Sequence, residues 1–139
     1  MLQMVLQSPQ VATCNADTLQ YIAYGASPIT EAVLAQAFKT FPKTRFLQAY
    51  GQTELSPVAT FLDTRYHTFD GPHAGKLRSA GQVTRICELR IVDENGIEVP
   101  LGQVGEITVS GPVTMLGYWN KPDITANTKK DGWVYTGDA

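Results

Sequence analysis

The stretch Tyr50-Gly51-Gln52-Thr53-Glu54 combines an aromatic ring, a glycine turn, a hydroxyl and a carboxylate. It follows an apolar run that predicts a buried strand, and Gly51 allows a sharp turn where that strand ends. Loops at the carboxyl ends of strands bind ligands in open α/β sheets. There Tyr50 is able to stack on a purine, Thr53 to hydrogen-bond a phosphate oxygen and Glu54 to offer Mg²⁺ an oxygen ligand. The same spacing also suits a plain turn with Thr53 as a cap and Glu54 solvated.

Length and composition limit the class of protein. With 139 residues, 43% of them apolar and 17% charged, the chain is long enough to bury a core and is neither disordered nor fibrous. The net charge of −2, with no basic block beyond Lys129-Lys130, argues against a nucleic-acid partner. Cys14 and Cys87 lack metal-ligand spacing, so we expect reduced thiols in a cytoplasmic protein. The first seven residues predict neither a signal peptide nor a membrane span.

The residues before the Tyr50 loop predict a strand, a helix and a second strand. Residues 19–24 have strand composition and end at Gly25-Ala26-Ser27-Pro28. We expect Ser27 to cap the following helix and Pro28 to be its first residue. Parallel neighbouring strands would bring the Gly25 loop and the Tyr50 loop to one edge of the sheet. Taken alone, the Gly25 loop indicates only an ordinary strand-to-helix turn.

Residues 55–81 are polar and broken by Gly and Pro, which predicts a long irregular connection. His67 and His73 lie six residues apart in it, without a further His or Cys at metal-ligand spacing. We therefore expect both histidines to be solvated or capping residues rather than metal ligands.

Beyond Gly81 the pattern changes to short strands and turns. Residues 87–91 alternate in polarity, Asn95-Gly96 favours a hairpin turn with positive φ, and residues 97–99 are expected to return as a strand. Together with later strands, these residues predict a small, strongly bent antiparallel sheet or partial barrel. Asp138 follows the last strand, where an Asp is either a turn former or a carboxylate that accepts both hydroxyls of a ribose.

The predicted fold class is therefore α/β: a strand–helix–strand portion of a parallel sheet, followed by a small antiparallel β-barrel-like lobe. Three stretches taken in order resemble the adenylate-forming superfamily of acyl-CoA synthetases, adenylation domains and luciferases. They are Tyr50–Glu54, Gly105–Gly111 with Gly117-Tyr118 and Pro122, and Trp133–Asp138. Within this superfamily, the hairpin over residues 89–96 and the segment over residues 117–122 are most similar to those of fatty-acyl-CoA and aryl-CoA ligases. The resemblance implies that residues 1–81 are part of the large ATP-binding subdomain and residues 82–139 a truncated barrel-like subdomain.

The resemblance also implies an activity. In the family, a carboxylate attacks the α-phosphate of ATP to form an acyl-adenylate and pyrophosphate, and the thiol of CoA then displaces AMP. By matching motif positions, Tyr50 would stack on adenine, Thr53 would contact the α-phosphate, Glu54 would bind Mg²⁺ and Asp138 would hold the ribose.

The remaining site residues implied by the resemblance have small side chains. Gly25 and Ala26 would line the other face of the adenine ring. Four small residues would lie near the acyl carboxylate or its pocket: Ala26, Gly51, Ala80 and Gly81. The family's Gly-Gly-Ala-Pro segment is here Tyr24-Gly25-Ala26-Ser27-Pro28, so the positions of Gly25 and Ala26 are shifted or interrupted by an insertion.

The family's Lys-containing phosphate loop and its later hinge and lysine have no counterpart in these residues. We therefore expect an internal fragment of an acyl-CoA synthetase that is inactive on its own, with a carboxylic acid and CoA as substrates of the parent enzyme. Two alternatives share the same motifs: a stand-alone nucleotide-binding or regulatory module, and an adenylation domain that loads a carrier protein. Neither the acid nor the oligomeric state follows from the sequence.

Overall fold

The computed structural model describes all 139 residues, which divide into two compact units. The first comprises Met1–Ala49 and Phe61–Gly81, and the second comprises Tyr50–Thr60 and Gln82–Ala139. The Tyr50 loop therefore belongs to the second unit, although the strand before it lies in the first. The longest α-helix has 10 residues, and none has the length and apolar character that crossing a bilayer requires.

The first unit contains the predicted strand, helix and strand. Strands β1 (Tyr21–Gly25) and β2 (Arg45–Tyr50) pair in parallel, with Tyr21 opposite Arg45 and Gly25 opposite Ala49. Helix α2 (Glu31–Thr40) connects them, and β3 (Thr60–Leu62) follows β2 in the sheet order. The α/β class and the parallel pairing are confirmed, and both strands end at the same edge of the sheet, as a parallel pair requires.

The core of the first unit explains why α2 forms. Apolar residues at helical spacing turn one face of α2 towards the sheet, where Leu34 and Ala37 are completely buried. Helix α1 (Leu2–Gln7) packs on α2 and contributes Leu6 to the same cluster as Ala37 and Phe46.

The predicted start of α2 was wrong. The helix begins at Glu31, and its cap is Thr30, whose side-chain oxygen accepts a hydrogen bond from the Val33 backbone N–H at 3.4 Å. Ser27 and Pro28 instead occupy the turn after β1. Ser and Thr are both good cap residues, so composition alone does not distinguish the two positions.

The predicted irregular connection over residues 55–81 also requires correction. It contains strand β3 and two short 3-10 helices, Thr53–Leu55 at its start and Thr64–Tyr66. His67 is the C-terminal cap of the helix Thr64–Tyr66, which agrees with the expected capping role. It is half-buried: its Nε2 lies 3.0 Å from the Tyr24 hydroxyl, its Nδ1 lies 3.1 Å from the Asp63 carbonyl oxygen, and burial lowers its pKa. His73 is exposed and contacts the Tyr66 ring.

The second unit is built on an antiparallel sheet. Its strands are β5 (Glu88–Val92), β6 (Glu106–Ser110), β7 (Lys129–Lys130) and β8 (Trp133–Tyr135), in the order β5-β6-β8-β7. The predicted antiparallel sheet is confirmed. It is open, with β5 and β7 as separate edges, so it does not form a closed barrel. Strand β4 (Gln82–Val83) and helix α3 (Pro122–Thr128) complete the unit.

The hairpin after β5 was predicted in part. Asp93 and Gly96 form the turn, but only Gly96 has positive φ, and the Asp93 carboxylate accepts hydrogen bonds from the backbone N–H groups of Asn95 and Ile97. The returning residues make a single bridge between Val92 and Glu98 rather than a full strand. The shorter pairing leaves Ile97 and Leu101 exposed.

The core of the second unit forms between the sheet and the residues that follow β2. Val109 and Val134 from the sheet pack with Leu55 and Ala59, and all four are completely buried. Leu55 comes directly after Glu54. Burial of this one side chain therefore attaches the Tyr50 loop to the antiparallel sheet.

A cap exchange tests the observed start of α2. We expect Thr30→Ala to lower the free energy of unfolding by about 1 kcal/mol, because the N–H of Val33 loses its acceptor. The matched variant Ser27→Ala should leave stability nearly unchanged. Chemical denaturation of both variants measures the difference, and a larger loss for Ser27→Ala would contradict the assignment.

A pair of leucines tests the attachment of the loop. Leu55 is 0% exposed and Leu101 is 105% exposed. We expect Leu55→Ala to cost about 2–5 kcal/mol of unfolding free energy, because it removes a buried side chain and leaves a cavity. Leu101→Ala should stay within roughly 0.5 kcal/mol of the parent. Equal losses in urea denaturation would show that Leu55 does not anchor the loop.

Candidate functional site

The loop after β2 requires glycine at position 51, because the chain there lies against another part of the backbone. A Cβ at Gly51 would collide with the carbonyl oxygen of Pro57 and approach the Cα of Val58 to 2.8 Å. The short helix Thr53–Leu55 follows at once, and the Thr53 side chain is exposed. The loop thus presents Thr53 to solvent while its next apolar residue is buried.

Tyr50 and Asp138 meet across 88 residues of sequence. The Tyr50 hydroxyl donates a hydrogen bond to Oδ2 of Asp138 at 2.9 Å, with the tyrosine half-buried and the aspartate exposed. The two residues expected to hold the adenine and the ribose are therefore neighbours. Their contact leaves the other carboxylate oxygen, Oδ1, as a further acceptor.

The main chain around Asp138 is held against β6. The backbone N–H of Ile107 donates to the Asp138 carbonyl oxygen at 2.8 Å, and the Glu106 carboxylate accepts from the N–H of Gly137 at 2.9 Å. The Thr136 hydroxyl donates to the Ile107 carbonyl oxygen at 2.8 Å. These bonds fix the position from which the Asp138 side chain reaches Tyr50.

Burial raises the pKa of Tyr50 to about 12. The hydrogen bond with the Thr136 side chain opposes this rise, while the hydrogen bond and the negative charge of Asp138 add to it. A phenolate beside the Asp138 carboxylate would be repelled, so the neutral hydroxyl is the form that this pairing favours.

Glu54 has a partner that sequence reasoning missed. The Tyr118 hydroxyl donates to Oε1 of Glu54 at 2.6 Å, and this hydrogen bond is the main reason that the pKa of Tyr118 is raised. Tyr118 lies in a motif already noted for its family resemblance. Nothing local indicates its partner, because 64 residues separate the two side chains.

Glu54 fits Mg²⁺ in one particular way. The structure contains no cluster of three or more His, Cys, Asp or Glu side chains that could hold a metal ion. Magnesium in nucleotide sites takes one or two protein carboxylates and completes its shell with water and phosphate oxygens. The Tyr118 hydroxyl uses one lone pair of Oε1, so Oε2 is the oxygen better able to bind a cation. Glu54 therefore suits Mg²⁺ that arrives with a nucleotide.

Gly25 and Ala26 lie at the end of β1 in the first unit. A Cβ at Gly25 would collide with the carbonyl oxygen of Ala49 on the paired strand, so this position requires glycine. Ala26 has a φ of +65°, which is unusual for a residue with a side chain. The structure thus shows a close backbone approach here, and the ligand contacts expected of both residues stay predictions.

Comparison with known proteins identifies the family. Residues 1–119 match the family model described as AMP-binding enzyme. The chain belongs to this family, which is the adenylate-forming superfamily that its motifs resemble.

Relatives extend the similarity to the whole chain. A medium/long-chain-fatty-acid–CoA ligase of Mycobacterium tuberculosis is 42% identical over 99% of the chain and 23% of its own length. A fatty acid–[acyl-carrier-protein] ligase of Streptomyces coeruleorubidus is 37% identical over 100% of the chain and 26% of its own length. The chain thus spans about a quarter of the length of these curated relatives.

A solved structure shows the same fold. An amide bond synthetase from Marinactinospora thermotolerans superposes with a TM-score of 0.85 at 29% identity. The alignment covers 98% of the chain and 26% of that protein.

Alkaline titration tests the environment of Tyr50. An unfolded tyrosine loses its proton near pH 10, whereas Tyr50 in the folded protein keeps it to about pH 12. The folded state therefore binds more protons between these values, and stability should fall as the pH rises through this window. Burial also raises the pKa of Tyr24 to about 12, so both residues contribute to the decline.

Denaturation midpoints measured from about pH 9 to 12 provide the readout. We expect Tyr50→Phe to flatten part of the decline and Tyr24→Phe combined with Tyr50→Phe to flatten more of it. An unchanged slope for Tyr50→Phe would contradict the assigned environment.

Proposed function

We propose that the protein activates a carboxylic acid at the expense of ATP. The acid forms an acyl-adenylate and releases pyrophosphate, and CoA then takes the acyl group and releases AMP. The contact of Tyr50 with Asp138 carries this proposal. This contact places an aromatic ring beside a carboxylate that is able to accept hydrogen bonds from a ribose, in a chain that belongs to the AMP-binding enzymes.

Each side chain of this pair suits one part of the nucleotide. The Tyr50 ring offers a flat surface on which a purine stacks, while its hydroxyl is held by Asp138. The carboxylate of Asp138 is exposed, and its main chain is fixed against β6. A carboxylate accepts two adjacent hydroxyl donors, which is what the diol of a ribose presents.

Thr53 and Glu54 suit the reacting phosphate. Thr53 is exposed at the start of a short helix whose next apolar residue, Leu55, is buried. Its hydroxyl is a donor that would stabilise the charge that develops on the α-phosphate. Glu54 supplies the carboxylate oxygen for Mg²⁺, and the metal, when bound, neutralises phosphate charge.

We propose CoA as the acceptor of the acyl group, because the Mycobacterium tuberculosis relative is named a CoA ligase. A carrier protein is the second candidate, since the Streptomyces coeruleorubidus relative is named an acyl-carrier-protein ligase. Incubation of the protein encoded by the complete gene with ATP, a panel of carboxylic acids and either acceptor distinguishes them. The acyl product is then identified by mass spectrometry.

Removal of the proposed metal ligand tests the site itself. In the protein encoded by the complete gene, we expect Glu54→Ala to lower acid-dependent ATP–pyrophosphate exchange by roughly a hundredfold or more, because an electrostatic contribution to the adenylation step is lost. This exchange reports adenylate formation and does not involve the acceptor.

The matched control is Glu94→Ala, since Glu94 is an exposed carboxylate in the hairpin turn. Its exchange rate should equal that of the parent. A near-normal rate for Glu54→Ala would remove Glu54 from the site, and absence of exchange in the parent with every acid would refute acid activation.

A further inference from the structure

We infer that Tyr118 is a positioning residue that orients the Glu54 carboxylate for a magnesium-bound nucleotide. This inference rests on the proposed function, in which Glu54 offers an oxygen to Mg²⁺. Tyr118 itself touches neither metal nor nucleotide in this scheme and acts only through Glu54.

The hydrogen bond between the two side chains is short and directional. The Tyr118 hydroxyl lies 2.6 Å from Oε1 of Glu54. Distances of about 2.5–2.7 Å are typical of a hydroxyl that donates to an ionised carboxylate, where the bond is roughly twice as strong as a neutral one. The bond restricts the rotation of the carboxylate and uses one lone pair of Oε1, so Oε2 is the oxygen better able to bind the cation.

The segment that contains Tyr118 also holds the main chain of Glu54. The backbone N–H of Met115 donates to the Glu54 carbonyl oxygen at 2.8 Å. Glu54 is therefore fixed at its carbonyl oxygen by Met115 and at its side chain by Tyr118. The next residue, Leu55, is completely buried, so the backbone at Glu54 has little freedom.

Residues 114–118, which we call the strap, are fixed in turn by α3 and β7. The Lys129 ammonium donates to the Met115 carbonyl oxygen at 2.7 Å, and the backbone N–H of Tyr118 donates to Oγ1 of Thr125 at 2.9 Å. A Cβ at Gly117 would lie 2.8 Å from the Thr125 methyl group, so the chain passes close to α3. These hydrogen bonds and the close packing on α3 therefore hold the strap in place.

Tyr118 is less exposed than the large apolar residues nearest to it in sequence. Leu116 is 99% exposed and Trp119, just beyond the strap, is 89% exposed, whereas Tyr118 is half-buried. Tyr118 therefore turns inward while these large apolar neighbours face solvent. Groups that hydrogen-bond to a metal ligand set the orientation of its oxygens, and their loss commonly weakens metal binding about 10–100-fold.

The test compares ATP binding with and without magnesium. In the protein encoded by the complete gene, the dissociation constant for ATP is measured by calorimetry without an acid substrate, once in excess Mg²⁺ and once in EDTA. We expect Tyr118→Phe to weaken ATP binding about tenfold in Mg²⁺ and to leave binding in EDTA unchanged. Tyr66→Phe removes a hydroxyl from the first unit and should change neither value.

Two further variants separate positioning from folding. Lys129→Met removes the donor to the Met115 carbonyl oxygen and should reproduce the magnesium-specific loss to a smaller extent. In a Glu54→Gln background, Tyr118→Phe should have no further effect on binding in Mg²⁺, because the oxygen that it orients is no longer a carboxylate.

The outcomes distinguish this inference from the proposed function. If the parent binds ATP more tightly in Mg²⁺ and Tyr118→Phe preserves that gain, the positioning role is overturned while the function stands. Equal weakening of both dissociation constants would show a structural role for Tyr118 and also overturn the inference. Absence of ATP binding by the parent would overturn both proposals.

Discussion

Burial of Leu55 in the core of the antiparallel sheet is the constraint on which the candidate site depends. Leu55 packs with Ala59, Val109 and Val134, and it directly follows Glu54. Strand β2 pairs in parallel with β1, yet the residues after it become part of the second unit. One apolar side chain thus decides which unit carries the exposed Thr53 and the half-buried Glu54.

Two hydrogen bonds then join side chains from distant parts of the chain. Asp138 reaches Tyr50, and Tyr118 reaches Glu54, so each acidic group of the site receives a phenolic hydrogen bond. A phenol donates one hydrogen bond and offers an apolar ring. These properties suit a position beside a ligand-binding carboxylate, because the donor restricts the carboxylate without neutralising its charge.

Membership of the AMP-binding enzymes indicates which chemistry these contacts serve. The chain belongs to the AMP-binding enzymes, and its named relatives include CoA and carrier-protein ligases that are about four times as long. Charge that develops on a phosphate is best stabilised by groups already in place. A strap supported by Lys129 and Thr125 holds such a group in place, which links the packing of α3 and β7 to the proposed magnesium ligand.

Local patterns in the sequence determined the α/β class, the parallel pair β1 and β2 and most strands of the second unit, because polarity alternates over a few neighbouring residues. The same patterns placed the cap of α2 at Ser27 instead of Thr30, since both residues suit a cap. They also missed β3, whose three residues stand in a stretch that is otherwise polar and broken by Gly and Pro. Local patterns also did not determine whether the second sheet closes into a barrel, because closure depends on whether the edge strands β5 and β7 meet. For the site, residue types and motif order indicated Tyr50, Glu54 and Asp138, but only the tertiary structure decided that Tyr50 meets Asp138 and that Tyr118 holds Glu54. Those pairs are 88 and 64 residues apart, and their contact depends on how the Tyr50 loop, β6 and the strap fold together within the second unit, which a local pattern does not reveal.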